Sequence, residues 1–153
     1  MIDKKTFKNT IAVLFGDAGF VKKGQSWCLD DEEILIVVNL EKIDFFSKEQ
    51  YVINVGFWLK AFGKIFFPPY HQCHLYYRVE RLFPGQRELI LQSCSLNNSN
   101  AQLLENLRLF IENQLIPFLY ECTKEENLRH LILDGALEGG FVRKEARMYL
   151  TGK

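Results

Sequence analysis

The chain has 153 residues, of which 48% are hydrophobic and 14% aromatic, and phenylalanine occurs 13 times. Its length is typical of one domain with one buried core, and its composition excludes a disordered or fibrous protein. Because 19 basic residues balance 19 acidic residues, no net charge attracts the protein to nucleic acid or to anionic lipid.

The sequence also indicates the compartment. The longest aliphatic run, residues 34–38, is too short to span a bilayer, and the charged residues near the N-terminus precede no apolar signal core. Four cysteines lie far apart and form no Cys-x-x-Cys pair, which favours reduced thiols in the core: Cys28, Cys73, Cys94 and Cys122. We therefore expect a cytoplasmic protein that does not contact membranes.

An amphipathic helix is predicted at the N-terminus, over residues 4–18. Its apolar face repeats at helical spacing and comprises Phe7, Ile11, Leu14, Phe15 and Ala18. Asp3 is placed to cap the first turn, and Gly19 is placed to end the helix.

Alternating apolar and polar residues next predict a series of strands. They cover residues 26–30, 33–42, 51–59 and 74–82, with a weaker candidate over residues 88–92. The basic residues Lys22 and Lys23 are assigned to a turn, and the polar residues 44–50 to a connection. Pro68 and Pro69 disfavour a helix in the loop that follows the third strand.

The alternation gives the predicted sheet two different faces. One face is apolar and should contact the core: Ile34, Ile36, Val38, Leu40, Tyr51, Ile53, Val55, Phe57, Leu59, Leu75, Tyr77 and Val79. The opposite face mixes polar and aromatic side chains with Leu35, Val37 and Val52. These three apolar residues indicate that a partner chain or the C-terminal helices cover part of that face.

From Asn100 onward the pattern is helical. A long core-facing helix is predicted until Pro117 bends or shortens its last turn. Thr123 and Glu126 fit a capping box for a second helix ending near Gly135, and residues 141–150 form a final amphipathic stretch. The order of elements predicts an α+β fold, in which an N-terminal helix and C-terminal helices pack mainly on one face of a mostly antiparallel sheet of four to five strands.

Several short blocks resemble a known family. They are residues 19–27, 37–42, 51–60 and 73–80, which read GFVKKGQSW, VVNLEK, YVINVGFWLK and CHLYYRVE. In this order they are similar to a bacterial family named only as domain of unknown function 4304, over roughly residues 2–82 with a weaker helical similarity near residues 117–119. The resemblance implies no established activity. We expect one domain over residues 1–153, with a family-like core at 2–120 and a helical extension at 121–153.

The polar face is the candidate binding surface. If the strands are neighbours, its side chains lie together; the candidate site residues are Asn39, Asn54, Trp58, His74, Tyr76 and Arg78, flanked by Glu41 and Glu80. A polar face with aromatic side chains suits a protein partner. The alternative is an ordinary solvated face on which Asn39 and Asn54 satisfy cross-strand hydrogen bonds.

Two groupings suggest other chemistry but have simpler interpretations. His71, Cys73 and His74 are close in sequence, yet Cys73 and His74 point to opposite faces of an extended segment and no second cluster supplies ligands. No metal site is therefore predicted. A nucleophilic cysteine paired with histidine has no local signature here.

Further patterns are also weak. Glu125 and Glu126 suit a helix N-terminus better than an acid/base pair. The glycines of residues 135–140 follow a helix and lack the ending of a phosphate-binding loop, so a hinge between helices is favoured. Lys22 and Lys23 are too few for a nucleic-acid footprint. No catalytic residue and no cofactor are predicted.

The leading functional hypothesis is a non-enzymatic domain that binds another protein, as an antitoxin-like immunity factor or a regulator. The competing hypothesis is a small-ligand or enzymatic domain with a pocket near Trp58, His74 and Arg78, in which Arg78 holds a carboxylate or phosphate. A deep pocket that includes Asn54, His74 and Arg78 would favour a ligand, and a flat face with exposed Trp58 would favour a protein. A third hypothesis is self-association through residues 62–67.

Overall fold

The computed structural model describes residues 1–45 and 48–152 of the chain. The strands are β1 (Val21–Lys23), β2 (Ser26–Asp30), β3 (Ile34–Phe45), β4 (Lys48–Leu59), β5 (Leu75–Arg78) and β6 (Phe141–Val142). The helices are α1 (Lys4–Asp17), α2 (Val79–Leu82), α3 (Arg87–Ser93), α4 (Ala101–Phe110), α5 (Ile116–Glu121), α6 (Glu125–Leu133) and α7 (Lys144–Thr151). A π-helical turn, Ile111–Leu115, joins α4 to α5, and 3-10 turns cover Lys60–Phe62, Tyr70–Gln72 and Pro84–Gln86.

The strands form one antiparallel sheet in the order β1-β2-β3-β4-β5-β6. The predicted α+β class is confirmed, and the described sheet has six strands instead of four or five. The two additional strands are the short ones at the edges, β1 and β6. Neither contains enough residues to show alternation, and Lys22 and Lys23, which were assigned to a turn, belong to β1.

The N-terminal helix matches its prediction closely. Asp3 caps it, because Asp3 Oδ2 accepts a hydrogen bond of 3.1 Å from the Thr6 backbone N–H. Gly19 follows the helix with a φ of 92°, a conformation that glycine adopts without steric cost. Phe7, Ile11 and Phe15 are fully buried against the sheet.

The main core lies between the helices and the predicted apolar face of the sheet. All twelve residues assigned to that face from the sequence belong to it. Buried side chains from the helices complete it, including Phe110, Leu115, Leu128, Ala146 and Leu150. The helices therefore pack mainly on one face of the sheet, as predicted.

Two predicted strands differ in the structure. The strand expected over residues 74–82 ends at Arg78, and residues 79–82 form α2. Val79 is buried and Leu82 packs against the core, and their spacing of three residues fits one helical turn, whereas a strand would place them on opposite faces. The weaker strand candidate at residues 88–92 is wrong because these residues lie in α3, and five residues are too few for periodicity to distinguish the two structures.

The polar connection expected at residues 44–50 is mostly strand. Strands β3 and β4 pair without interruption from Ile34↔Leu59 to Phe45↔Lys48. Backbone pairing does not require apolar side chains, so the loss of alternation did not mark the end of the strands. Residues 46 and 47 lie outside the described residues.

The C-terminal half contains three further differences from prediction. The helical segment that begins at Ala101 continues past Pro117 to Glu121, with the π-helical turn just before the proline. The capping box is wrong: the Thr123 hydroxyl donates to the Tyr120 carbonyl at 2.7 Å, and α6 begins at Glu125. The glycine segment, expected to be a hinge between helices, leads first into β6.

Across residues 1–45 and 48–152, no helix combines the length and apolar character needed to cross a bilayer.

Candidate binding cleft

The second face of the sheet is partly covered by the loop between β4 and β5. Four buried residues form a small cluster there, named below the second-face cluster: Cys28, Leu35, Val37 and Cys73. Phe67 and Tyr70 of the loop pack against it. The predicted cover, a partner chain or the C-terminal helices, is therefore wrong for this region. A loop of the chain itself buries Leu35 and Val37.

Gly56 allows the loop to approach the sheet. A Cβ atom at this position would lie 2.7 Å from Cys73 Sγ and 2.7 Å from the Tyr70 carbonyl oxygen. Such distances are shorter than van der Waals contact. Because Gly56 has no side chain, the loop packs directly on β4 at this position, and this contact fixes where Tyr70 lies on the second face.

Asn39 and Asn54 are joined across β3 and β4. Asn54 Nδ2 donates to Asn39 Oδ1 at 3.1 Å and to Glu41 Oε1 at 3.4 Å, and Asn39 Nδ2 donates to Ser26 Oγ at 3.0 Å. Asn54 is only 3% exposed. Asn39 and Asn54 thus form the cross-strand hydrogen bonds that were expected of them as ordinary residues of the sheet. The same hydrogen bonds fix the Asn54 amide beside Arg78, its register partner on β5.

Trp58 and His74 form a separate aromatic group. Their ring centroids are 4.3 Å apart, and the ring centroid of Phe62 lies 4.8 Å from that of His74. The Leu59 backbone N–H donates to His74 Nδ1 at 3.0 Å, and Trp58 Nε1 donates to the Gly63 carbonyl at 2.9 Å. Burial, followed by the charge of Arg143, lowers the pKa of His74. These contacts anchor the start of the loop to β5.

Arg78, Asn54 and Tyr76 line an open cleft of about 330 Å³. The remaining lining residues come from the loop, from α2 and from the segment that contains β6: Tyr70, Tyr77, Arg81, Gly139, Gly140 and Phe141. The Arg-aromatic cleft is our name for this site, defined by Arg78, Arg81, Tyr70, Tyr76 and Phe141. The structure brings Asn54, Tyr76 and Arg78 together there, with Asn39 behind them, and places Trp58 and His74 elsewhere.

Three aromatic rings form one wall of the cleft. Tyr76 stacks on Phe141 with a centroid distance of 4.8 Å and an interplanar angle of 27°, and Tyr70 meets Tyr76 edge-on at 5.8 Å. These geometries are favourable for aromatic pairs. The rings hold one another in place, so the wall is formed before any ligand arrives.

Gly140 allows the segment before β6 to lie directly against β5. A Cβ there would lie 2.0 Å from Tyr77 Cδ2 and 2.7 Å from the Tyr76 carbonyl oxygen. The Tyr77 hydroxyl donates to the Leu137 carbonyl at 2.9 Å, which secures the segment just before the glycine. The backbone therefore passes directly against β5 and brings Phe141 onto Tyr76.

The charged side chains described in the lining of the cleft are both arginines. Arg78 and Arg81 are both exposed, and among the described residues neither has a carboxylate within salt-bridge distance. Among the residues that the structure describes, no acidic side chain lines the cleft. Burial, with a contribution from the nearby Glu41 charge, raises the pKa of Tyr70, so its hydroxyl stays protonated at neutral pH. Burial likewise raises the pKa of Glu80, which lies outside the cleft.

Sequence reasoning missed Arg81 and Phe141 for different reasons. On the predicted strand, Arg78 and Arg81 would face opposite sides, whereas the helical turn of α2 brings both to the cleft. Phe141 reaches the cleft because β6 pairs with β5, in the register Tyr76↔Phe141. No local pattern in two residues could signal that pairing.

The cysteines and histidines do not form a reactive group. All four cysteines are buried free thiols, as predicted, and burial raises the pKa of Cys28 to about 11 and of Cys73 to about 12. A thiol with such a pKa is a poor nucleophile at neutral pH. Among the residues that the structure describes, no three His, Cys, Asp or Glu side chains are grouped to hold a metal.

Fold and cleft together define an α+β domain with one helix-covered sheet face and one partly open face. The chain belongs to the family described as Domain of unknown function (DUF4304), whose model matches residues 11–121. This confirms the sequence resemblance and extends it well beyond Leu82. Comparisons with curated proteins and with solved structures found no match. Gly139, Gly140 and Phe141 lie beyond the matched residues, so the family segment supplies only part of the cleft.

Proposed function

We propose that this chain is a binding domain that recognises another protein through the Arg-aromatic cleft. One observation carries the proposal: two exposed arginines without ion pairs among the described residues stand beside a preformed aromatic wall. Arginine and tyrosine are enriched at the energetic centres of protein interfaces.

The rigidity of the cleft supports this role. Association orders side chains at an entropic cost of about 0.5–1.5 kcal/mol for each flexible group. Tyr70, Tyr76 and Phe141 are already held by ring contacts, and the backbone around them is held by Gly56 and Gly140. A partner would therefore meet a surface that needs little reorganisation.

We further propose that the protein acts in a bacterial cytoplasm as an immunity-like or regulatory partner. Four buried, unpaired thiols in a small domain suit a reducing compartment. An immunity factor requires only a surface complementary to its target, and the Arg-aromatic cleft is the surface that we propose for this contact. A toxin gene beside this one would support the narrower role, and a metabolic operon would count against it.

A small ligand is the second candidate, and one observation favours it. Asn54 and Arg78 share a cleft, as the ligand hypothesis expected, although His74 does not join them. The volume of about 330 Å³ is at the lower end of the range for small-molecule pockets. An open cleft of this size fits one or two protruding side chains of a protein better than an enclosed ligand.

The test is quantitative affinity capture with three forms of the tagged protein. The forms are the wild type, the double variant Arg78→Ala with Arg81→Ala, and Arg129→Ala as a matched control. Arg129 is an exposed arginine on α6, outside the cleft. We expect a protein captured by the wild type and by the control to be lost from the double variant. Equal capture by a folded double variant would overturn the proposal.

A further inference from the structure

We infer that the Arg-aromatic cleft binds carboxylate groups, presented by an acidic segment of the partner that also carries an aromatic side chain. This inference rests on the proposed function and specifies the chemistry of the partner. It follows from the distribution of charge in the cleft, from the geometry of its wall and from a comparison with a larger groove of the molecule.

The cleft has cationic groups available for a ligand. Within the described part of the chain, its lining includes two arginines and no acidic residue, although the whole chain has no net charge. A guanidinium group can donate two parallel hydrogen bonds to one carboxylate, which makes arginine well suited to this anion. Two adjacent arginines can hold one carboxylate between them or hold two neighbouring ones.

A second groove of the same protein contains an arginine whose charge is neutralised by carboxylates of the chain. This larger groove, about 780 Å³, lies between α1 and the α4–α5 segment and contains Arg108. Arg108 already binds two carboxylates, with Arg108 Nε 2.9 Å from Glu105 Oε2 and Arg108 Nη1 2.5 Å from Glu112 Oε2. Its charge is satisfied within the chain. Arg78 and Arg81 differ because, among the described residues, they have no such partner.

The nearby acidic groups form no ion pair with the two arginines among the described residues, although the charges of Arg78 and Arg81 oppose the effect of burial on the pKa of Glu80. Glu41 accepts from Asn54 Nδ2 at 3.4 Å and lies on the Tyr70 side of the site. Glu80 is only 5% exposed, and its Oε1 is buried without a hydrogen-bond partner among the described residues. Neither belongs to the cleft lining. An incoming carboxylate therefore meets exposed positive charge on the arginine side of the cleft.

The aromatic wall provides the second part of the recognition. Phe141 is 45% exposed while it stacks on Tyr76, so a ring face or edge remains accessible. Contact between a phenyl group of the partner and such a wall is energetically favourable. A carboxylate next to that phenyl group then reaches the arginines. Phosphate alone would use the charges and leave the wall unused.

The test is a titration of the whole protein, followed by the chemical shifts of its backbone amides. The first probe is a blocked peptide that repeats Asp-Glu-Phe, and its matched control repeats Asn-Gln-Phe, which has the same shape without charge. Inorganic phosphate is the third probe. We expect the acidic peptide to shift the amides of β5, α2 and β6, and to bind at least about tenfold more tightly than the amide peptide or phosphate.

The arginine variants used for affinity capture also test whether Arg78 and Arg81 bind the acidic peptide. Arg78→Ala with Arg81→Ala should weaken the acidic peptide by about tenfold or more, and Arg129→Ala should leave it unchanged. Equal binding of the acidic and amide peptides would overturn the inference, and so would phosphate binding as tight as that of the acidic peptide. Acidic-peptide binding that survives in the double variant would also overturn it.

Failure of this inference is distinguishable from failure of the proposed function. A protein captured only when both arginines are present, combined with no preference for the acidic peptide, overturns the carboxylate and retains the protein partner. Arginine-dependent binding of the acidic peptide, without any arginine-dependent captured protein, supports the carboxylate and overturns the protein partner.

Discussion

Gly56 and Cys73 are so close that a Cβ atom on Gly56 would lie 2.7 Å from Cys73 Sγ. The substitution Gly56→Ala should therefore force the loop away from β4 and reduce the free energy of unfolding by about 1–3 kcal/mol. Urea denaturation followed by tryptophan fluorescence measures this change.

The control for that substitution is Gly85→Ala. A Cβ at Gly85 would meet no atom within 4 Å, so this variant should change stability by less than about 0.5 kcal/mol. If Gly56→Ala proved as stable as the control, the close packing of the loop on the sheet would be refuted.

The Tyr77 hydroxyl secures the segment that leads into Gly139 and Gly140 of the cleft. Tyr77→Phe removes the hydrogen bond to the Leu137 carbonyl and should cost about 0.5–1.5 kcal/mol of stability, because the carbonyl loses its partner. Amide hydrogen exchange at residues 136–142 should become faster. Tyr76→Phe is the neighbouring control, since the Tyr76 hydroxyl has no hydrogen bond among the described residues; equal effects of the two variants would contradict this prediction.

His74 should make stability depend on pH. Burial and the charge of Arg143 lower its pKa from 6.5, so the unfolded chain binds a proton at a higher pH than the folded protein does. The stabilisation is complete above about pH 6.5 and declines as the pH falls below that value toward the folded pKa. Urea unfolding at pH values from about 7.5 to 5.5 would reveal the decline.

Two variants assign that dependence to His74. His74→Asn cannot titrate in this range and should flatten the dependence, whereas His130→Asn, at an exposed position, should leave it as it is. An unchanged slope in the His74→Asn protein would assign the effect to other groups.

The four thiols should be unreactive in the folded protein. They are buried, and burial raises the pKa of Cys94 to about 12 and moves that of Cys122 in the same direction. Ellman's reagent at mildly alkaline pH should label them at least about tenfold more slowly than in guanidinium chloride, where all four should react. Fast labelling of a cysteine in the native protein would show that its burial is wrong.

The sheet could be predicted wherever alternation ran long enough. Residues 34–40 alternate over seven positions, and their two faces lie as predicted. Residues 79–82 span one helical turn, so a buried Val79 was compatible with either structure. The error placed Arg81 on the wrong side of the chain and removed half of the cationic pair from the candidate site.

Long-range contacts explain the features of the fold and of the cleft that the sequence did not predict. The rings of Tyr76 and Phe141 come together through strand pairing between segments far apart in sequence. The cover over Leu35 and Val37 came from a loop whose path depends on the missing side chain at Gly56. Such contacts are set by tertiary packing, and a single sequence carries no periodic signal for them.

The edges of the sheet bear on its behaviour at high concentration. One edge is the three-residue β1, with two lysines, and the other is the two-residue β6. Short and charged edges offer little unpaired backbone to a neighbouring molecule, which is how many β-proteins avoid joining into extended sheets. The apolar middle parts of the long strands β3 and β4 are paired on their outer sides with β2 and β5, so the backbone of these parts is not available to a neighbouring molecule.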